Sequence, residues 1–190
     1  MPATWICLAC RERQSSYDRL IAAWSYEEPL DAVIRGLKFE KLHWLGAQLA
    51  TAMISVLGTK DLGCHDVVVP VPLHWRRYWR RGFNQAEAIA RPLAAGLRIP
   101  VANVLQRHHP TRPQTGTRRQ ERLRNLSGAF RLKQRTVLTG QRVLLVDDVF
   151  TTGATLNCAA TELRKAEPAL ITVLAAARTP APYQPARSLQ

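Results

Sequence analysis

Apolar residues recur every three or four positions over 30–37 and 44–57, the spacing of amphipathic helices, and Gly58 follows as a stop signal. The first third of the chain is therefore predicted to be helical. Asp66 is followed by the β-branched run Val67, Val68 and Val69, closed by Pro70, Val71 and Pro72, which predicts a buried strand entering a loop of restricted φ. Residues 85–97 are Ala-rich and helically periodic, and 101–105 read as a short strand after Pro100. The polar, Arg-rich stretch 107–125, broken by Pro110, Pro113 and Gly116, is predicted to be an exposed, mobile loop. Residues 142–146 form a continuous apolar run of the kind buried on both faces of a parallel sheet. Helical periodicity over 154–165 and a second apolar run over 170–177 complete a βαβ unit, so the fold class is α/β. The tail 179–190, with Pro180, Pro182 and Pro185, reads as frayed, and no internal repeat is visible.

Charge changes this picture from a generic α/β domain to one with an anion partner. The 190 residues carry 27 basic against 14 acidic side chains, a net +13. The excess is local, since 72–135 holds 15 basic residues and two acids while the remainder balances. Its foci are Arg76, Arg77, Arg80, Arg81 and Arg118, Arg119, Arg122, Arg124. Arginine grips phosphate oxygens bidentately, so nucleic acid, a phosphorylated metabolite or a membrane surface are the partner classes, against a plain solvated basic face. With 46% hydrophobic and 22% charged residues, whole-chain disorder is excluded. No apolar run approaches the ~18–20 residues of a membrane span and the first ten residues lack a signal core, which predicts a cytoplasmic protein. Four scattered cysteines make no disulfide framework, but Cys7-Leu8-Ala9-Cys10 has the spacing of half a zinc site.

The segment Val143 to Thr155 carries the chemistry. A buried strand runs into Asp147 and Asp148 and then into Thr151, Thr152, Gly153, Ala154 and Thr155 at the start of a helix. Ligands of open α/β sheets sit outside the carboxyl ends of the strands, which puts both acids at the mouth of a site. The turn offers an anion N–H groups, hydroxyls and a helix N-terminus, with Gly153 permitting close approach. A ribose 5-phosphate satisfies both ends, its vicinal hydroxyls donating to the carboxylates. Helix capping is a weaker account, because a cap needs one acid and a buried Asp147 needs a partner. A receiver domain would begin with such a strand, whereas here the acids lie close to the end, and neither a Walker A nor a Gly-x-Gly-x-x-Gly loop is present.

This segment resembles the phosphoribosyl-pyrophosphate motif of type I phosphoribosyltransferases, and the wider chain resembles the ComF/GntX family. The matching positions are Tyr17-Asp18-Arg19, Tyr26, Leu37-Lys38-Phe39, Val69-Pro70-Val71-Pro72-Leu73-His74, Arg81-Gly82-Phe83-Asn84-Gln85, Arg122-Leu123-Arg124-Asn125 and Gly128-Ala129-Phe130. The resemblance implies a type I phosphoribosyltransferase fold, a parallel sheet flanked by helices with a small N-terminal hood. It divides the chain into a zinc-ribbon remnant (1–16), a helical hood region (17–65), the phosphoribosyltransferase core (66–178) and a Pro-rich tail (179–190). It further implies that Asp147 and Asp148 hold the ribose hydroxyls, directly or through Mg²⁺, and that Thr151, Thr152, Gly153, Ala154 and Thr155 hold the 5-phosphate. Pro70, Val71, Pro72, Leu73 and His74 would form the pyrophosphate loop. The 107–125 loop would close over the substrate, with Arg118, Arg119 and Arg122 compensating charge as pyrophosphate departs.

The departure is at the N-terminus. Relatives begin with paired Cys-x-x-Cys motifs, whereas Cys7 and Cys10 supply two of four zinc ligands, so zinc is not expected and Mg²⁺ is the implied cofactor. The implied reaction is transfer of phosphoribosyl from phosphoribosyl pyrophosphate to an unidentified acceptor, alongside a regulatory variant that binds without catalysis. The alternative is a single-stranded-DNA-binding protein, whose motive is the basic segment with Trp75, Tyr78, Trp79 and Phe83 interleaved among Arg76, Arg77, Arg80 and Arg81; a role in DNA uptake is what the ComF resemblance implies for it. Packing beneath a loop is the structural account of those aromatics. The implied partners are phosphoribosyl pyrophosphate, single-stranded DNA, and a second copy of the chain or a competence-machinery protein.

Overall fold

The computed structural model describes residues 15–40, 42–107 and 128–180. In chain order the elements are β1 (Arg19–Ser25), α1 (Leu30–Phe39), α2 (Leu45–Leu57), α3 (Thr59–Leu62), β2 (Val67–Pro70), α4 (Trp75–Arg81), α5 (Gln85–Leu97), β3 (Leu105–Arg107), β4 (Phe130–Leu132), β5 (Arg142–Phe150), α6 (Ala154–Leu163) and β6 (Leu170–Arg178). Strands β1, β6, β5 and β2 form one parallel sheet in that order, and β3 and β4 form a separate antiparallel ribbon.

The period of two along β5 decides the layering. Val143 and Leu145 enter a cluster with Leu156, Ala159 and Leu163 of α6 and with Leu105 and Phe130 of the ribbon. Leu144 and Val146 enter the opposite cluster with Leu49 and Met53 of α2 and Ile89 and Leu93 of α5. The sheet is therefore covered on both faces, as its unbroken apolar strands require. At the amino ends of the strands two carboxylates fix register. Asp66 accepts from the Arg142 backbone N–H at 2.8 Å and from its guanidinium at 2.8 and 3.1 Å. Asp18 accepts from the Ile171 N–H and from Arg164, both at 2.7 Å.

Four differences from the sequence reading are physical. The first third is not all helical, because Arg19–Ser25 pairs with β6 as the edge of the sheet, so 17–65 supplies a strand as well as helices. Val101 makes an isolated bridge to Val68 instead of starting a strand, and the strand forms at Leu105–Arg107 against β4. Strand β5 does not stop at Val146 but pairs through Phe150, so Asp147 and Asp148 lie within it. Helix α4 carries no buried residue and hence no apolar period to read. It is held by its ends, where His74 Nδ1 accepts from the Arg76 N–H at 3.2 Å and Gly82 takes the left-handed conformation at φ 84°.

Candidate functional site

Alternation along β5 sends its two acids to opposite faces of the sheet. Asp148 follows Leu144 and Val146 toward the α1 side, where its Oδ2 lies 2.9 Å from Lys38 Nζ, both side chains being largely buried. Asp147 follows Val143 and Leu145 and pairs in register with Ala175, a small residue that leaves room at the sheet end. One Asp147 oxygen accepts from the Asp148 N–H at 2.9 Å. Burial, reinforced by the neighbouring Asp148 charge, pushes the Asp147 carboxyl up to about 7, while the Asp148 N–H, Lys38 and Arg107 pull it the other way.

After Phe150 the chain turns through Thr151, Thr152 and Gly153 into α6. Gly153 sits at φ 75°, and a Cβ there would stand 2.6 and 2.8 Å from the Phe150 ring, so conformation and space both require glycine. The α6 N-terminus has no side-chain cap across its boundary residue Gly153; Thr152 Oγ1 accepts from the Ala154 N–H at 3.4 Å. The first turn of this ten-residue helix thus presents its positive end beside the two carboxylates.

A cavity of about 330 Å³ gathers these groups. Its lining includes Asp147, Asp148, Thr151 and Thr155 on one side and Val71, Pro72 and Leu73 on another. Lys38, Arg77, Arg81 and Arg107 supply four cations against the two acids. Burial lowers the guanidinium pKa of Arg81 and of Arg107, and Arg77 adds to both. An anion placed among them would relieve that repulsion and restore lost solvation. Asn84 fixes the loop to α5, donating from Nδ2 to the Val71 carbonyl at 3.0 Å and accepting from the Ala86 N–H at 3.2 Å. Arg81 donates to Gln85 Oε1 at 2.9 Å, and its Nε is buried without a hydrogen-bond partner among the described residues.

The sequence-predicted residues divide accordingly. Asp147, Asp148, Thr151, Thr155, Val71, Pro72 and Leu73 meet in one cavity. Thr152, Gly153 and Ala154 shape its turn without lining it. Pro70 lines an adjoining cavity, and His74 is 2% exposed beneath α4 as its cap. Arg118, Arg119, Arg122, Cys7 and Cys10 lie outside the described residues. Sequence reasoning gave no site role to Lys38, Tyr26, Asn84, Gln85, Arg77 or Arg81, and placed Arg107 only at the start of the loop expected to close over the substrate. The i, i+4 spacing of Arg77 and Arg81 was the signal for those two, since it places both on one helical face. Among the described residues no group of three or more His, Cys, Asp or Glu could hold a metal by itself, and no helix is long and apolar enough to cross a membrane.

Comparison with known proteins adds independent findings. A phosphoribosyl transferase domain model matches residues 46–189. Competence protein F of Haemophilus influenzae is 36% identical over 165 residues, covering 84% of this chain and 72% of that protein. The DNA utilization protein YhgH of Escherichia coli K12 is 34% identical over 155 residues, covering 79% and 67%. Competence protein ComFC of Bacillus subtilis is 35% identical over 96 residues, covering 50% and 37%. A solved purine phosphoribosyltransferase from Pyrococcus horikoshii is 17% identical, covering 75% of this chain and 91% of that one with a TM-score of 0.43.

Proposed function

The chain belongs to the ComF family of type I phosphoribosyltransferase-like proteins, and from that premise we propose that it binds phosphoribosyl pyrophosphate and transfers the phosphoribosyl group to an acceptor. The observation that carries this reading is the meeting of two carboxylates, a threonine turn at a helix N-terminus and four cations in one cavity. Vicinal ribose hydroxyls donate to Asp147 and Asp148. The 5-phosphate accepts from the Thr151–Thr155 turn, where backbone N–H groups and the helix dipole favour an anion. Pyrophosphate lies toward Arg77, Arg81 and Arg107 beside the Val71-Pro72-Leu73 loop.

In the transfer step the bond from ribose C1 to the pyrophosphate oxygen breaks, and its electron pair leaves on pyrophosphate. The acceptor's lone pair forms the new bond at C1. Fixed arginines facing the departing group supply charge stabilisation that requires no reorganisation during the reaction. The same role is proposed for Arg118, Arg119 and Arg122, which fall in sequence between β3, whose Arg107 lines the cavity, and β4. The hard oxygen donors of Asp147 and Asp148 fit Mg²⁺, and two carboxylates alone make a site completed by ligand oxygens. When bound, Mg²⁺ supplies neutralising charge for pyrophosphate. A cytoplasmic location accords with this substrate. Calorimetric titration with phosphoribosyl pyrophosphate and Mg²⁺ tests the reading: wild type should bind and Asp147→Asn/Asp148→Asn should not, and equal binding by both sinks it. Pyrophosphate release across candidate acceptors separates transfer from regulatory binding.

A second reading, single-stranded DNA binding, is favoured by the outer surface of α4. Trp75, Tyr78 and Trp79 are 56%, 48% and 79% exposed beside Arg76 and Arg80. Such aromatics among cations suit stacked bases and a phosphate backbone. Phe83 does not join them, because it packs against the core. The relatives Competence protein F, YhgH and ComFC carry competence or DNA utilization in their names. Affinity for single-stranded DNA should fall steeply with salt, and the absence of binding at low salt ends this reading.

A further inference from the structure

The cavity contains one contact that the proposed ligand does not explain. Asp148 is 8% exposed, and a carboxylate at that depth requires a partner. Its partner is Lys38 at 2.9 Å, anchored by α1, whose Ile34 and Leu37 are fully buried. Arg81 also lies close enough for its charge and that of Asp148 to be felt mutually, and Arg107 stands in the same relation to Asp147. A free divalent cation approaching Asp148 must displace an ammonium already in contact and enter a lining with more positive than negative groups. A cation arriving on a polyanion brings the charge that Lys38, Arg77 and Arg81 lack.

We propose that Lys38 is a resident counter-ion of Asp148 that excludes free divalent metal from this carboxylate and so makes metal loading depend on the anionic ligand. Lys38 is a positioning residue: it acts through Asp148, releasing it when a ligand's negative groups offer the ammonium another partner. This role rests on the phosphoribosyl pyrophosphate reading only for the identity of that ligand. The exclusion of free metal does not depend on it.

The test uses Mn²⁺ alone, with bound metal measured by electron paramagnetic resonance on the full chain. Lys38→Met should bind Mn²⁺ at least about tenfold more tightly than wild type, because a unit charge within contact distance has been removed. Adding Asp148→Asn to Lys38→Met should abolish that gain. Equal Mn²⁺ affinity in wild type and Lys38→Met overturns the proposal. Asp148→Asn alone gives an arm that does not need the lysine variant to fold. It should leave wild-type Mn²⁺ binding unchanged, and a loss there means that Asp148 was open to free metal and overturns the proposal. Titrating wild type with phosphoribosyl pyrophosphate then isolates the other reading: failure to bind it, with the Mn²⁺ results as expected, removes the ligand assignment and leaves the role of Lys38 standing.

Discussion

Asp147 and Asp148 are adjacent in sequence, yet their surroundings differ because consecutive strand residues face opposite ways. Asp148 has an ammonium in contact, whereas Asp147 accepts from the Asp148 N–H, feels the charge of its acidic neighbour and is reached by Lys38 and Arg107 only at longer range. With the Asp147 carboxyl raised to about 7 by burial and by Asp148, the folded chain holds this proton more tightly than the unfolded chain. Its contribution to stability is full below the ordinary carboxylate value of 3.8 and is lost as the pH rises through 7. Asp147→Asn cannot ionise and can still accept from the Asp148 N–H. It should therefore melt with wild type near pH 4 and above wild type at pH 8, as read by circular dichroism. An offset that is constant with pH refutes this account. Gly153→Ala should destabilise by about 1–3 kcal/mol, because alanine must adopt a left-handed φ while its Cβ meets the Phe150 ring. In the double variant with Phe150→Leu, urea unfolding should recover only part of the loss, since the backbone strain remains.

At the scale of elements, legibility in the sequence tracked burial. Helix α5 was readable at both ends, Gln85 and Leu97, because Ile89, Ala90, Leu93 and Ala94 keep one apolar stripe against the sheet. Strand β6 and β5 as far as Val146 were readable because both faces are covered and the residues are apolar without alternation, whereas Asp147 and Asp148 hid the continuation of β5 to Phe150. Strand β1 escaped notice because its residues are half-buried at the sheet edge, where they carry no clear period. Helix α4 escaped because nothing in it is buried, and what holds it is a pair of caps. The acidic half of the site was legible as a motif. Its basic half was not, because Lys38, Arg81 and Arg107 come from three elements whose proximity only the fold creates. Helix packing also sets a test that propensity alone gets wrong. Glycine to alanine inside a helix should gain up to about 1 kcal/mol. At Gly46 of α2, however, a Cβ would stand 2.5 and 2.7 Å from the backbone carbonyl of Ala88 in α5, atoms that cannot swing aside. At Gly36 of α1 the nearest atom is a flexible Leu45 methyl at 3.3 Å. Gly46→Ala should lower stability by about 1–3 kcal/mol as an overpacked contact, and Gly36→Ala should leave it unchanged or raise it. Melting temperatures in the same order for both variants would mean that α2 and α5 adjust freely.

Across the whole molecule the net +13 arises within residues 72–135, and four of the cations there belong to one helix, α4, that faces two ways. Arg77 and Arg81 line the cavity with the acids, while Arg76, Trp79 and Arg80 are exposed. A small polyanion and a nucleic acid strand would therefore use different residues of the same seven-residue element. Arg76 and Arg80 are like charges one turn apart, as are Arg77 and Arg81, so any anion on either side relieves repulsion within α4. This separates the two proposed ligands experimentally. Arg76→Ala/Trp79→Ala/Arg80→Ala should weaken single-stranded DNA binding and lower the magnitude of its log–log salt slope by about 1.4, the value for two lost phosphate contacts. Binding of phosphoribosyl pyrophosphate should be unchanged in that variant. Arg77→Ala/Arg81→Ala should reverse the pattern, losing the small ligand while retaining most of the affinity for DNA. Fluorescence anisotropy with an oligonucleotide and calorimetry with phosphoribosyl pyrophosphate, run on both variants, read the two outcomes together. If both variants lose DNA affinity and salt slope equally, the strand does not distinguish the faces of α4, and the division of its charge between two ligands fails.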